Sequence, residues 1–172
     1  MMLSKQDKAA RYAELDQQLE ALLQHDLPAY THLCNALAVL REEFGFFWCG
    51  LYLRRDPDAL HLGPYQGGLP CLTIPLGQGV CGVAAQQQQT QIVNDVRQFP
   101  GYIACHPEPQ AEIVVPGVQE GYTYFVLDID ALEKDAFTPE DRQGLETVAD
   151  RLMPQVRALQ AAFPDGGDRN IR

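Results

Sequence analysis

The sequence predicts an α+β fold in which helices pack on an antiparallel sheet. Three observations indicate this class. Two segments near the N-terminus carry apolar residues at helical spacing, a run of short β-type segments separated by turn residues follows, and another helical segment closes the pattern. With 172 residues, 46% of them hydrophobic, the chain has the length of one domain and enough apolar side chains for a core.

Two helices are predicted first. Ser4 can cap the earlier one, and Pro28 introduces the later one. The first apolar stripe consists of Tyr12, Leu15, Leu19 and Leu22, and the second consists of Tyr30, Leu33, Cys34, Leu37 and Leu40. Because Cys34 lies on this second stripe, we interpret it as a small buried hydrophobic residue.

The strands are predicted from alternation and turn signals. Residues 46–53 form the first strand, in which Phe46, Trp48, Gly50 and Tyr52 share one face and Phe47, Cys49, Leu51 and Leu53 share the other. Short strands follow near residues 60–66, 70–75 and 90–94. Strands at 112–118 and 123–130 come later, and the last places Val126, Asp128 and Asp130 opposite a face of Phe125, Leu127 and Ile129.

Loops and helices connect and close this array. Residues 77–89 are predicted to be a glycine-rich turn that enters a helix, and residues 95–110 a long loop of the kind that is often functional. The last helix begins with Thr138 as its cap and Pro139 in its first turn, and Pro154 is expected to kink or interrupt it. We expect one domain over residues 1–163 and a disordered tail over residues 164–172.

Composition excludes several classes of function. The 13 basic against 23 acidic residues give a net charge of −10 without a basic stripe, which argues against nucleic acid and anionic membranes as partners. No apolar run approaches the roughly 18 residues of a membrane span, and the N-terminus does not resemble a signal peptide. We therefore expect a cytoplasmic protein whose cysteines are reduced.

Cys71, Cys81 and Cys105 suggest a metal site, a packed core or shared redox chemistry. Together with His106 they lack the ligand spacing of zinc sites, so we expect no metal. The segment PLGQGVCG lacks the Lys-Ser/Thr of a phosphate-binding loop, so we expect no nucleotide cofactor. Cys81 falls in the first turn of a predicted helix, where the helix dipole favours the thiolate.

Two acids have an ambiguous role. Asp128 and Asp130 share a strand face, which most often means a solvated surface. Trp48 and Tyr52 share the corresponding face of another strand. If the two strands belong to one sheet, carboxylates and aromatic rings line one concavity, which suits a small cationic or zwitterionic ligand.

Several segments resemble a known family when they are taken in order. They are FWCGLY, LGPYQG, PCLTIPLGQGVCG, DVRQFPGYIAC, EIVVP and LDID. In both order and cysteine context they resemble the free methionine-(R)-sulfoxide reductases, which are built on a GAF domain with a central antiparallel sheet flanked by helices. The chain departs from the family pattern at Cys49, at Ala131 and in the segment HPEPQAE.

This resemblance implies a thiol-dependent enzyme that protects against oxidative stress and needs no cofactor. Cys105 would be the nucleophile, Cys71 the main resolving cysteine and Cys81 a secondary relay, with recycling by thioredoxin or a similar dithiol. Residues expected to bind free methionine-(R)-sulfoxide are Trp48, Tyr52, Glu112, Asp128 and Asp130. The alternative is a GAF sensor of a small molecule or of redox state without catalysis, which predicts fused output domains. A homodimer through the N-terminal helix is compatible with either.

Overall fold

The computed structural model describes residues 5–163, so the expected cap at Ser4 and the expected tail over 164–172 lie outside the described residues. The helices are α1 (Lys5–Leu23), α2 (Ala29–Phe44), α3 (Gly79–Gln87) and α4 (Pro139–Ala162). The strands are β1 (Trp48–Arg54), β2 (Ala59–Gln66), β3 (Thr73–Pro75), β4 (Gln91–Val93), β5 (Ala111–Gln119) and β6 (Tyr122–Ala131). A short 3₁₀ turn, Val96–Gln98, lies in the predicted long loop.

The six strands form one antiparallel sheet in the order β3-β2-β1-β6-β5-β4. The predicted α+β class is therefore confirmed. From the sequence, aromatic rings and carboxylates are expected to line one concavity if their two strands belong to one sheet. The two strands, β1 and β6, are neighbours in this sheet. Trp48 pairs with Asp130 in register, and Gly50 pairs with Asp128.

The two faces of the sheet are buried against different partners. One face and helices α1, α2 and α4 form the larger apolar cluster, which includes Cys49, Leu51, Phe125 and Leu127. The other face packs with α3 in a second cluster that includes Trp48, Tyr52 and Val126. The alternation predicted for β6, and for β1 from Trp48 onward, is confirmed, and both faces are inside the protein. The faces predicted for Phe46 and Phe47 are wrong: both precede β1, where the pleat does not hold, and Phe46 packs with the Cys49 cluster while Phe47 packs with the Trp48 cluster.

Helix α4 confirms one prediction and corrects another. Thr138 caps it in a capping box with Asp141, whose buried carboxylate also accepts hydrogen bonds from Lys8 and Tyr12 of α1. A kink or an interruption was expected at Pro154, and the interruption does not occur, because α4 is continuous over Pro139–Ala162. Pro154 is exposed, whereas Met153 and Val156 beside it are buried in the core, and this packing holds the helix together on both sides.

Helix α2 also differs in detail from the prediction. Leu33, Leu37 and Leu40 are buried as expected. Tyr30, at the first turn, is 58% exposed, and Cys34 is only partly buried. The predicted apolar stripe was too broad. The rest of the fold covers the side of α2 that carries Leu33, Leu37 and Leu40, but it does not cover Tyr30 at the start of the helix.

Candidate active site

Three carboxylates meet on the inner face of β5 and β6. Glu112 pairs directly with Asp130 across the two strands, and Asp128 lies two residues from Asp130 on the same face. All three are at least nine-tenths buried. Their placement excludes the solvated sheet face, which was the alternative interpretation of these acids.

Burial changes the protonation of these acids. It is the main cause that raises the pKa of Asp128 to about 7, although hydrogen bonds from Cys81 and Glu112 partly oppose the shift. It likewise raises the pKa of Glu112 and of Asp130 well above the usual range, and the Asp128 charge adds to both shifts. The cluster therefore holds protons near neutral pH.

A disulfide lies at the edge of this cluster. Cys71, between β2 and β3, is bonded to Cys105 in the loop before β5, with Cα atoms 5.1 Å apart. This separation is ordinary for a disulfide. The Tyr52 hydroxyl donates a 2.9 Å hydrogen bond to the Cys71 carbonyl. The cysteine pair implied by the resemblance is thus close enough to bond.

The acids and Cys105 line one small cavity of about 20 Å³. This volume is enough for about one water molecule. The polar side chains that line it are Cys81, Tyr102, Cys105, His106, Glu112, Asp128 and Asp130. Apolar contacts come from Ile74, Val80 and Ile103. With the disulfide formed, the site is nearly closed.

Cys81 lies in the first turn of α3, as predicted, but it is not poised as a thiolate. It is 3% exposed, and its Sγ lies 3.9 Å from Oε1 of Glu112. Burial raises its pKa well above the usual range, and the charges of Asp128 and Glu112 raise it further. The predicted effect of the helix dipole is therefore outweighed, because desolvation and negative neighbours both favour the thiol.

Trp48 and Tyr52 surround the site without lining the closed cavity. Both are 1% exposed and belong to the same apolar cluster as Cys81. The Trp48 indole donates to the Gly68 carbonyl and stacks on Tyr65. A Cβ atom at Gly50 would lie 2.3 Å from the Trp48 ring, so the indole lies over this glycine.

The spacing of Cys71, Cys81, Cys105 and His106 along the chain argued against a zinc site. In the structure, Cys71 and Cys105 are bonded to each other. Ligand-type atoms of Cys81, Glu112 and Asp128 do lie within 4.8 Å of one another. The carboxyl oxygens of Glu112 and Asp128 can instead accept hydrogen bonds from an ammonium ion, because oxygen acceptors serve both kinds of cation.

Six of the described residues that line the cavity were not assigned to the site from the sequence. Three of them, Tyr102, Ile103 and His106, flank Cys105 in its loop, and the others are Ile74, Gly79 and Val80. Burial raises the pKa of Tyr102, with Glu112 next in effect, so its hydroxyl stays protonated. Two features of the sequence could have identified the three loop residues: they are close to Cys105, the candidate nucleophile, and they lie in an unusually long loop.

Comparison with known proteins decides the family. The GAF domain family model matches residues 30–153. The free methionine-R-sulfoxide reductase of Escherichia coli is 40% identical over 147 residues, which is 85% of this chain and 88% of that protein. The chain belongs to the free methionine-R-sulfoxide reductase family of GAF domains. The recognition made from its cysteine and acid motifs is therefore confirmed.

Solved structures agree with this membership of the free methionine-R-sulfoxide reductases. The reductase from Neisseria meningitidis, determined in complex with its substrate, superimposes with a TM-score of 0.84 at 38% identity, covering 94% of this chain and 97% of that one. The reduced Staphylococcus aureus enzyme gives a TM-score of 0.78 at 38% identity, covering 84% and 94%. Within residues 5–163, no helix has the length and apolar character needed to cross a membrane.

Proposed function

We propose that this reductase converts free L-methionine-(R)-sulfoxide to methionine with cysteine thiols as the source of electrons. One observation carries the proposal: the Cys71–Cys105 disulfide adjoins a cavity lined by three buried carboxylates. A cysteine pair that can form a disulfide supplies two electrons. Protonated carboxyl groups supply the proton that the sulfoxide oxygen needs before its bond to sulfur can break. The relatives named above support the choice of substrate.

In the first step the Cys105 thiolate attacks the sulfoxide sulfur. The attack forms a transient bond between Cys105 Sγ and the substrate sulfur, and a proton reaches the sulfoxide oxygen. The S–O bond and this transient bond then break as the oxygen is transferred to Cys105, which becomes a sulfenic acid. The substrate sulfur gains two electrons and leaves as the thioether of methionine. One of Glu112, Asp128 and Asp130 delivers the proton, since burial keeps these acids protonated near neutral pH.

In the second step the Cys71 thiol attacks the sulfenic sulfur. The Cys71–Cys105 bond forms, and the oxygen departs as water. An external dithiol such as thioredoxin then reduces this disulfide by exchange and becomes oxidised itself. Cys81 would act as a secondary relay, and because it is buried, that role requires the loop around Cys105 to move first.

The acids also explain a preference for the free amino acid. The acids that do not deliver the proton accept hydrogen bonds from the substrate ammonium. In a peptide this ammonium is replaced by a neutral amide, so these hydrogen bonds would be weaker. Trp48 and Tyr52 would pack around the thioether methyl once the site opens. No metal or cofactor takes part in these steps.

The closed cavity implies a cycle of opening. A space of about 20 Å³ is far smaller than methionine sulfoxide. The loop from Phe99 to Gln110 contains no helix or strand. Its Cys105 is bonded to Cys71, which lies outside the loop, between β2 and β3. We expect reduction of the disulfide to release this loop so that the next substrate enters.

We further expect the enzyme to work in the cytoplasm, where thioredoxin is available. A homodimer also remains a prediction. The apolar residues of α1, including Tyr12, Leu15 and Leu19, are buried inside the protomer. A dimer through α1 would therefore use the polar face of this helix.

The deciding experiment is an NADPH-coupled assay with thioredoxin and thioredoxin reductase on the separated R and S epimers of free methionine sulfoxide. We expect turnover with the R epimer and little with the S epimer or with a peptidyl sulfoxide. Binding of the R epimer without any turnover, also when dithiothreitol replaces thioredoxin, would support the sensor function instead.

A further inference from the structure

We propose that His106 binds the α-carboxylate of the amino acid substrate and thereby selects the free acid over its amides. The inference rests on the proposed reductase function and adds a residue to it. It concerns the carboxylate end of the substrate, for which the three acids of the cavity are unsuited. His106 is thus proposed as a determinant of specificity and not as a participant in the redox chemistry.

The position of His106 is the first argument. It follows Cys105 directly and lines the same cavity. Its Nε2 is buried and has no hydrogen-bond partner among the described residues. A buried ring nitrogen without a partner costs free energy, and a ligand oxygen in the cavity would remove that cost.

The imidazole is held in place by its neighbours. Its ring meets the edge of Phe47 at a centroid distance of 5.7 Å and an interplanar angle of 83°. On another side it approaches Gly68, where an added Cβ would lie 3.1 Å from Cε1 of the imidazole. A side chain fixed by such contacts loses little conformational entropy when it binds a ligand.

The charges that line the cavity are the third argument. Glu112, Asp128 and Asp130 offer carboxyl oxygens that accept hydrogen bonds from the substrate ammonium, and whichever of them is ionised repels the substrate carboxylate. Tyr102 offers a neutral hydroxyl. Among the side chains that line the cavity, only the imidazole of His106 can carry a positive charge. A zwitterionic substrate needs acceptors for its ammonium and donors for its carboxylate, and the ring N–H of His106 is such a donor.

The expected effect follows from the strength of such contacts. A hydrogen bond to a charged group contributes enough to change binding about tenfold to a hundredfold. Methioninamide sulfoxide keeps the ammonium and the sulfoxide but has no carboxylate. His106 should therefore favour the acid over the amide, and removing the imidazole should reduce this preference.

The test compares kcat and KM for free methionine-(R)-sulfoxide and for its carboxamide. The variant is His106→Leu, which removes the donor and keeps a side chain of similar bulk. His25→Gln is the matched control, because His25 is exposed on the surface. If His106→Leu does not fold, as judged by circular dichroism and by formation of the Cys71–Cys105 disulfide, His106→Phe replaces it, because phenylalanine keeps a ring and also has no donor.

We expect the ratio of kcat/KM for acid over amide to fall at least about tenfold in His106→Leu, mainly through a higher KM for the acid. The control should keep the wild-type ratio. An unchanged ratio, or an equal loss with both substrates, would overturn the proposal, since His106 would then be irrelevant or would act on Cys105. A wild-type enzyme inactive on both would contradict the proposed function, a different result.

Discussion

Glu112 and Asp130 lie directly opposite each other across β5 and β6, and both line the cavity that contains Cys105. Like charges in this arrangement destabilise a sheet, and burial makes ionisation of either acid more costly. The pair weakens the fold at any pH at which it ionises. Such a cost is typical of residues retained for function.

The stability of the protein should fall as pH rises from about 4 to above 7. Burial raises the pKa of Asp128 from 3.8 to about 7, so the folded state holds a proton that the unfolded chain releases. This contribution is complete below the unfolded pKa and is lost as pH passes the folded pKa. The slope is about 1.4 kcal/mol per pH unit for each proton. Urea unfolding across this range measures it.

The matched variant for this slope is Asp128→Asn. An amide cannot ionise, so the difference in unfolding free energy between variant and wild type should grow in favour of the variant as pH rises. Asp58→Asn, at an exposed turn, should leave the slope unchanged. A slope that is identical in Asp128→Asn and wild type would show that Asp128 is ionised in the folded protein at neutral pH.

Turnover should decrease at alkaline pH. The proton donor among the three acids is lost as pH rises through its pKa, while the thiolate fraction of Cys105 grows over the same change. Loss of the proton donor lowers the rate, whereas a larger thiolate fraction raises it. The direction in which the rate changes with pH therefore shows whether the acid or Cys105 limits turnover. Single-turnover release of methionine from reduced enzyme avoids the pH dependence of thioredoxin. A rate that only rises with pH would argue against an acid donor.

Cys105→Ser should abolish methionine formation, because no other thiol in the cavity replaces the attacking group. Cys71→Ser should still release about one methionine per enzyme and then recycle poorly with thioredoxin. Cys34→Ser serves as control, since Cys34 lies on α2 and does not line the cavity. Substantial multiple turnover by Cys105→Ser would show that the nucleophile is misassigned.

Tyr52→Phe should slow disulfide closure more than it weakens substrate binding. The lost hydroxyl donates to the Cys71 carbonyl at 2.9 Å, so the variant loosens the resolving cysteine while its ring still fills the core. The free energy of unfolding should drop by about 1 kcal/mol. Rapid-quench thiol counting after one turnover measures the closure rate. An unchanged closure rate together with a raised KM would show that the Tyr52 hydroxyl acts on substrate binding and not on the position of Cys71.

Methionine should bind the oxidised enzyme much more weakly than the reduced one. The cavity beside the Cys71–Cys105 disulfide measures about 20 Å³, too small for the product. Calorimetric titration of methionine into oxidised wild type and into Cys71→Ser, which cannot form this bond, makes the comparison. Equal affinities would mean that loop opening does not depend on reduction.

Much of this architecture could be predicted from local pattern. Alternation in β1 and β6 assigned Trp48 and Asp128 to one face and Cys49 and Leu127 to the other, and the structure confirms both sets. Thr138 was recognised as a helix cap from its neighbours alone. These features depend on residues close together in the chain, where backbone geometry leaves few choices.

Predictions about electrostatic environment were less successful. The helix position of Cys81 was correct and its expected thiolate was wrong, because burial raises its pKa most and the acids of β5 and β6 raise it further. The helix is also not interrupted at Pro154, and the reason is similar, since Met153 and Val156 are buried in the core and this packing stabilises the helix on both sides of the proline. In both cases a long-range contact outweighed a local preference.

Local pattern was enough to predict the α+β class, the faces within β1 and β6, and the cysteine and acid motifs of a free methionine-R-sulfoxide reductase. It could not show that Cys71 bonds with Cys105, that Glu112 opposes Asp130, or that His106 lines the same cavity, because these contacts join residues from different elements of the fold. Periodicity specifies which way a side chain points, whereas strand order and loop placement decide what it meets, and a pKa depends on what it meets.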